Sequence, residues 1–276
     1  MEKLIIVIAL LLSVSLFYGF RSRKNAVPCT GMRQQVTITG HRGAGGLAQE
    51  NTLSAIRKGL EMKCARIEID VHQTADGEIM VMHDETIDRM TNGKGRIRNM
   101  TYDEIRKYFI KPFRGDTLQE KIPLLEDAIR VVNGKAVLLI ELKEGNNVYP
   151  GIERKVIQLI RKHKAESWCM IHSFKEKILD TVHAMAPEIP LHQLLLTGMF
   201  NTPSADDYVT EVSVYNRLLT KSFIEKVHKA GKKVNVWTVN NRDEMMYFMK
   251  IGVDGIITDF PDLANEVLQE YEGKSK

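Results

Sequence analysis

The chain of 276 residues is poor in cysteine. Cys29, Cys64 and Cys169 allow at most one bridge, which excludes a disulfide-framed fold. It also lacks a strong excess of charge of either sign. The formal charge is +4, and residues 1–28 carry +3 of it, through Lys3, Arg21, Arg23 and Lys24 against Glu2. The rest is near-neutral and holds clustered acids, which argues against nucleic acid as a partner. No internal repeat or low-complexity tract is present. Gly43-Ala44-Gly45-Gly46 does not have the glycine spacing of a dinucleotide-binding loop. What is there is ordinary for a globular chain, 43% hydrophobic and 27% charged. The length suits one large core or two small domains.

One long hydrophobic run stands at the front. Leu4 to Phe20 is apolar and uncharged, and follows Lys3. It is slightly short of the ~20 residues that span a bilayer and somewhat long for the core of a cleaved signal. Residues 1–28 read as an export leader with linker, either a signal peptide or an N-terminal anchor. No small-x-small triplet follows Phe20, and Arg21, Arg23 and Lys24 complicate the orientation. Cys29 offers a second route to the membrane, as a lipid attachment site. The expected location is outside the cytoplasm: periplasmic, secreted or held at a membrane through the N-terminus.

From Val36 onward strands and helices alternate. Strands are predicted at 36–40, 66–71, 137–142, 168–172, 191–196, 211–214, 233–239 and 255–258. Helices are predicted at 51–62, 152–162, 175–185, 221–230 and 242–251, each from an apolar stripe at helical period. Eight strands with intervening helices over 36–265 predict an α/β fold, a (β/α)8 TIM barrel. The competing open doubly wound sheet would want the glycine loop that is missing. Residues 84–122 fit no barrel unit. They read as an inserted subdomain after a hairpin on the second strand, with a short helix from Tyr102 to Tyr108.

The chemistry begins in Ile67-Glu68-Ile69-Asp70-Val71. Residues two apart on a strand share a face, so Glu68 and Asp70 point one way and the aliphatics the other. Thr74-Ala75-Asp76-Gly77 is too short for a crossover helix, so Ile79 to Met82 returns antiparallel toward His83. A turn centred on Ala75-Asp76 sets Glu68 opposite His83. Other polar residues fall at predicted strand ends: Gly40-His41-Arg42-Gly43, Glu141-Leu142-Lys143, His172-Ser173, Trp237-Thr238-Val239-Asn240 and Thr258-Asp259. Barrel active sites form at those ends. Three carboxylates suit one hard divalent cation, Mg²⁺ or Ca²⁺. Two histidines suit acid–base work, and Arg42 and Lys143 suit a phosphate.

With Glu50-Asn51-Thr52 and His83-Asp84 added, these motifs run in the order and spacing of the glycerophosphodiester phosphodiesterase family, which residues 36 to about 265 resemble. The stretch from His83-Asp84 to Thr91-Asn92-Gly93-Lys94-Gly95 is similar to that family's insertion. The resemblance implies a (β/α)8 barrel and metal-dependent hydrolysis of a small glycerophosphodiester to glycerol 3-phosphate and an alcohol. It implies Glu68, Asp70 and Glu141 as metal ligands, His41 and His83 as the acid/base pair, and Arg42 and Lys143 as phosphate contacts. Glu50 matches an acid at or just outside the metal, and Trp237 an apolar wall beside the glycerol. One departure is visible: Gln49 stands where the family has proline. That frees φ ahead of the helix and leaves the acid in place. Two other readings stay open. A sphingomyelinase D-like or lysophospholipase D-like enzyme would need an apolar entrance, from 84–122 or Leu194 to Phe200. A barrel that binds a phosphate ligand without turnover would not need both histidines.

Overall fold

The computed structural model describes residues 36–115, 119–196 and 208–273. The leader, Cys29 and the 197–200 end of the apolar stretch lie outside them. Among the described residues, nine strands form one sheet. They are β1 (Thr37–Gly40), β2 (Arg66–Gln73), β3 (Ile79–Val81), β4 (Val137–Leu142), β5 (Cys169–Ser173), β6 (Leu191–Leu195), β7 (Val209–Tyr215), β8 (Lys233–Trp237) and β9 (Gly255–Thr258). The order is β1-β9-β8-β7-β6-β5-β4-β2-β3, and a parallel β1–β2 pairing closes it. All but β3 are parallel, so the body is the expected (β/α)8 barrel, with β3 hung antiparallel on β2.

The alternation in β2 decides what faces where. Ile67, Ile69 and Val71 join the apolar layer under the helices. Arg66, Glu68 and Asp70 take the opposite face, inside the barrel. Helices α1 (Leu53–Glu61), α2 (Tyr102–Ile105), α3 (Leu125–Val132), α4 (Ile152–Lys162), α5 (Glu176–Met185), α6 (Lys221–Lys229), α7 (Arg242–Ile251) and α8 (Pro261–Gly273) follow in chain order. The Thr52 hydroxyl starts α1 by accepting from the Ala55 amide at 3.0 Å, and Asn241 starts α7 in the same manner. The helices α3 and α8 are not among those the sequence predicts. The predicted 102–108 helix stops at Ile105, after a capping box between Thr101 and Glu104. None of the described helices is long and apolar enough to cross a membrane.

The hairpin register differs from expectation by one residue. Val71 pairs with Val81 and His72 with Met80, and Met82 donates to the Asp70 carbonyl at 2.9 Å. The Thr74 hydroxyl accepts from the Glu78 amide at 2.8 Å and closes a loop one residue longer than an Ala75-Asp76 turn would be. His83 therefore emerges past the end of β3 and near Asp70, one pair beyond the expected site opposite Glu68. The insertion that follows has its own small core of Ile87, Met90, Ile97, Ile105, Ile110 and Ile122 against Met80 and Met82. Among the described residues, Cys64 and Cys169 are buried and form no disulfide. Burial pushes each thiol up to about 12, so both are inert packing groups.

The interior near the strand starts is closed by an ion pair. Arg66 of β2 grips Glu211 of β7 through two bonds, 2.6 and 2.8 Å, and Asn235 of β8 donates to the same carboxylate at 3.0 Å. Burial alone would raise the Glu211 carboxyl, yet Arg66 and its neighbours hold it at about 2. Arg66→Met leaves that charge unpaired and is expected to cost about 3–5 kcal/mol of stability in urea unfolding. Arg66→Met/Glu211→Leu should recover much of the loss. Equal stability of the wild type and the single variant would show that the pair contributes little.

Candidate active site

The site is assembled at the C-terminal ends of the strands. After β1 the chain turns sharply, and Gly43 adopts φ +92°. A Cβ there would lie 2.6 Å from the Ala55 backbone, so only glycine lets the loop sit against α1. The turn aims the Arg42 amide at Glu68 Oε2, 2.7 Å away, and fixes that carboxylate. Asn51 is also left-handed, at φ +57°. Its side chain donates to Asp70 Oδ2 at 2.7 Å and accepts from the Asp70 amide at 3.1 Å. The Glu50-Asn51-Thr52 motif thus holds a carboxylate as well as starting a helix.

Strand register makes a continuous interior row. Asp70 is paired with Glu141, Glu141 with His172, His172 with His192, and His192 with Glu211, across β2, β4, β5, β6 and β7. At the mouth, a cavity of about 170 Å³ is lined by His41, Arg42, Glu68, Asp70, His83, Glu141, Lys143, His172, Trp237 and a few apolar neighbours. Lys143 Nζ lies 2.8 Å from Asp70 and 3.0 Å from Glu141. Burial would raise the Asp70 carboxyl, but Lys143 and Arg42 outweigh it and hold it well below the usual range. Glu141 goes the other way. Burial, then the charges of Asp70 and Glu68, push it well above its ordinary value despite Lys143. Glu50 does not line the cavity. It pairs with Arg42 at 2.8 Å and with Arg89 of the insertion at 2.7 Å, so it clamps Arg42 in place. Arg42 Nε is buried, stands 3.6 Å from Asp70 Oδ2 and makes no hydrogen bond among the described residues. A buried, unsatisfied guanidinium N–H at a cavity wall suits an incoming anion.

The two histidines stand in opposite electrostatic settings. His41 Nδ1 bonds to Asp259 Oδ1 at 2.6 Å, and Asn240 braces that carboxylate from its other oxygen. Burial lowers the His41 pKa, but the Asp259 bond and the nearby Glu68 charge outweigh it, and the net shift is upward. For His83 burial prevails, helped by Lys143 and Arg42 and opposed by Asp70, and the net shift is downward. His83 Nδ1 bonds to Asp84 at 2.9 Å, and its carbonyl accepts from His72 at 3.0 Å. One imidazole is thus inclined to hold a proton at neutral pH and the other to accept one.

The donor set fits a cation. Glu68, Glu141 and His172 are buried, and one donor atom of each lies within 4.8 Å of the others. Like charges that close, at an effective dielectric of about 20, repel by roughly 3–4 kcal/mol. Glu141 shifts upward through burial first and then through the charges of Asp70 and Glu68. Asp70 stands beside this trio, engaged by Lys143 and Asn51.

The glycerophosphoryl diester phosphodiesterase family pattern matches residues 41–263, most of the chain. The chain belongs to that family. A glycerophosphodiester phosphodiesterase from Caldanaerobacter subterraneus subsp. tengcongensis is 35% identical over 235 residues, covering 82% of this chain and 94% of that protein. The crystal structure of a glycerophosphodiester phosphodiesterase from Agrobacterium tumefaciens aligns with TM-score 0.74 at 28% identity, over 85% of this chain and 99% of that one. A phosphodiesterase from Oleispira antarctica, solved with the product sn-glycerol-3-phosphate, aligns with TM-score 0.79 at 23% identity, over 84% and 96% of the two chains, and supports the fold.

Within this family member, the cavity gathers every residue to which the sequence assigned a role except Glu50, which pairs with Arg42. Three contributors escaped the sequence reading. Asn51 was counted only as a motif letter, although its side chain holds Asp70. Asp259 likewise carried no role, although it is the partner of His41. His172 was seen at a strand end but not grouped with the carboxylates. Its place at the end of the strand after Glu141's was the available signal, and the register across β4 and β5 makes the two neighbours.

Proposed function

We propose that the chain hydrolyses glycerophosphodiesters to glycerol 3-phosphate and an alcohol, with His83 as general base, His41 as general acid and a divalent cation at the carboxylates. Membership of the family makes it a phosphoric diester hydrolase. The finer reading rests above all on one observation: two histidines of opposite electrostatic bias line the cavity that also holds Arg42, Lys143 and the carboxylates. Arg42 and Lys143 bind and orient the phosphate oxygens. His83 takes the proton of the attacking hydroxyl, from water or from the substrate's own glycerol 2-hydroxyl; in the second route a cyclic phosphate forms and water then opens it to glycerol 3-phosphate. His41, held by Asp259, delivers a proton to the departing alkoxide. Glu68, Asp70 and Glu141 would hold the cation, with His172 beside them. When bound, it supplies fixed positive charge to the phosphate. Oxygen donors alone would suit Mg²⁺ or Ca²⁺.

Trp237 forms an apolar wall. Its indole donates to the Ser213 carbonyl at 3.3 Å and packs edge-on to Phe174. We place the glycerol carbons against this ring. Every glycerophosphodiester shares them, so Trp237→Ala is expected to raise KM by a similar factor, about 10-fold, for all head groups. A panel of glycerophosphocholine, glycerophosphoethanolamine, glycerophosphoinositol and a lysophospholipid tests both readings. Release of glycerol 3-phosphate across the first three supports the proposal. Turnover of the lysolipid alone would favour a lipid phosphodiesterase, with Phe174 and Leu194 at the entrance. A loss confined to one head group in Trp237→Ala would put the ring beside the alcohol.

We also propose that residues 1–28 direct export. The described family motifs start at Gly40, so a chain lacking residues 1–28 is expected to be soluble and fully active. An unfolded product would place the apolar run within the fold.

A further inference from the structure

We infer that His172 is a metal ligand of this enzyme, and that its ring nitrogen shifts the site's preference toward transition-series divalent ions such as Mn²⁺. The inference rests on the cation-dependent reading above and goes beyond it by assigning a ligand and a metal class.

His172 is only 1% exposed, and among the described residues neither ring nitrogen has a hydrogen-bond partner. An imidazole buried with nothing to bond is costly, because its N–H and lone pair lose water without replacement. Its neighbours do not relieve this. Ser173 bonds elsewhere, to the Leu142 carbonyl at 2.9 Å, and the His192 ring stands 5.6 Å away, bonded through Nε2 to Ser213. His172 Nε2 stops 3.6 Å from Glu68 Oε1. That is too long for a hydrogen bond. It is the spacing of two donors on one ion, which with bonds of about 2.1–2.4 Å sit roughly 3–4.5 Å apart. Strand register puts His172 directly beside Glu141, so the backbone holds it level with the carboxylates. Carboxylates alone would suit Mg²⁺ or Ca²⁺, but imidazole is a poor partner for either and a good one for first-row transition ions.

The test is pulsed EPR of the full chain, stripped by chelator and loaded with Mn²⁺. The expected spectrum shows a directly coordinated nitrogen. That nitrogen should persist in His41→Ala and His83→Ala and vanish in His172→Gln. Titration should show Mn²⁺ affinity falling at least about tenfold in His172→Gln, with Mg²⁺ affinity changing far less. Mn²⁺ bound to the wild type without nitrogen coupling overturns the assignment and leaves the cation reading standing. Failure of the wild type to bind Mn²⁺, Mg²⁺ or Ca²⁺ at all overturns both. The wild-type spectrum decides the question even if His172→Gln does not fold.

Discussion

Replacing His41 or His83 with alanine is expected to lower kcat by roughly 10²–10⁴, the usual scale for one acid–base group. Both side chains sit at the cavity wall and outside the apolar clusters, so the fold should survive each change. The two losses should also differ in their pH dependence. The His83 pKa lies below the ordinary imidazole value, so at neutral pH His83 is free to accept a proton, and activity falls as acid protonates it. The His41 pKa lies above the ordinary value, so His41 keeps its proton at neutral pH and loses it on the alkaline side. The kcat/KM profile should therefore be a bell, with its acid limb below and its alkaline limb above the ordinary imidazole range. The residual activity of His83→Ala should lack the acid limb, and that of His41→Ala the alkaline one. Loss of the opposite limb in each variant would exchange the two roles. Near-normal kcat in either would remove that residue from the mechanism. Asp259→Asn should act more mildly than His41→Ala and move the alkaline limb downward, because it weakens the partner that raises His41.

The features legible in the sequence were those encoded in local periodicity. Alternation in β2 separates Ile67, Ile69 and Val71 from Glu68 and Asp70 without any tertiary information. Turn residues and apolar runs mark the parallel strands to within two residues. The misses have physical causes. Helix α3 has Leu124 at its N-cap, a side chain that cannot cap, so no capping signal marks its start. Helix α8 carries its signal in Pro261 at the first turn, in the position proline tolerates best, and that signal lay at the edge of the last strand. The hairpin slip of one residue came from the Thr74 hydroxyl, a side-chain bond that turn length alone does not reveal. The pairing of His41 with Asp259 spans 218 positions and exists only because β1 and β9 are neighbours in the closed barrel. The lack of a hydrogen-bond partner for His172 among the described residues is a property of the finished interior. No local pattern reports it.

Removing divalent cations is expected to abolish turnover altogether. Glu68, Asp70 and Glu141 are 2%, 1% and 6% exposed, and the barrel mouth brings them together. Against them stand Lys143, shared between Asp70 and Glu141, and Arg42, which Glu50 also claims. Asp70 takes most of this compensation. Glu68 and Glu141 stay close, with a donor atom of each within 4.8 Å of the other, and burial together with the Asp70 and Glu68 charges moves Glu141 upward. A phosphate brought to that pair without added positive charge would meet repulsion from both. Chelation should therefore leave no measurable hydrolysis, and re-addition of a divalent cation should restore it. The folded state should report the same event. A ligand present at about 100 times its Kd stabilises the form that binds it by about 2.7 kcal/mol, so the melting temperature should rise on metal addition. Glu141→Gln removes one of the two opposed charges. It is expected to abolish the metal-dependent rise while leaving the metal-free melting temperature unchanged or higher, because the repulsion goes with the charge. Full turnover in excess chelator, with no metal found by elemental analysis, would sink the cation reading. A metal-dependent rise that persists unchanged in Glu141→Gln would move the cation away from the trio of Glu68, Glu141 and His172.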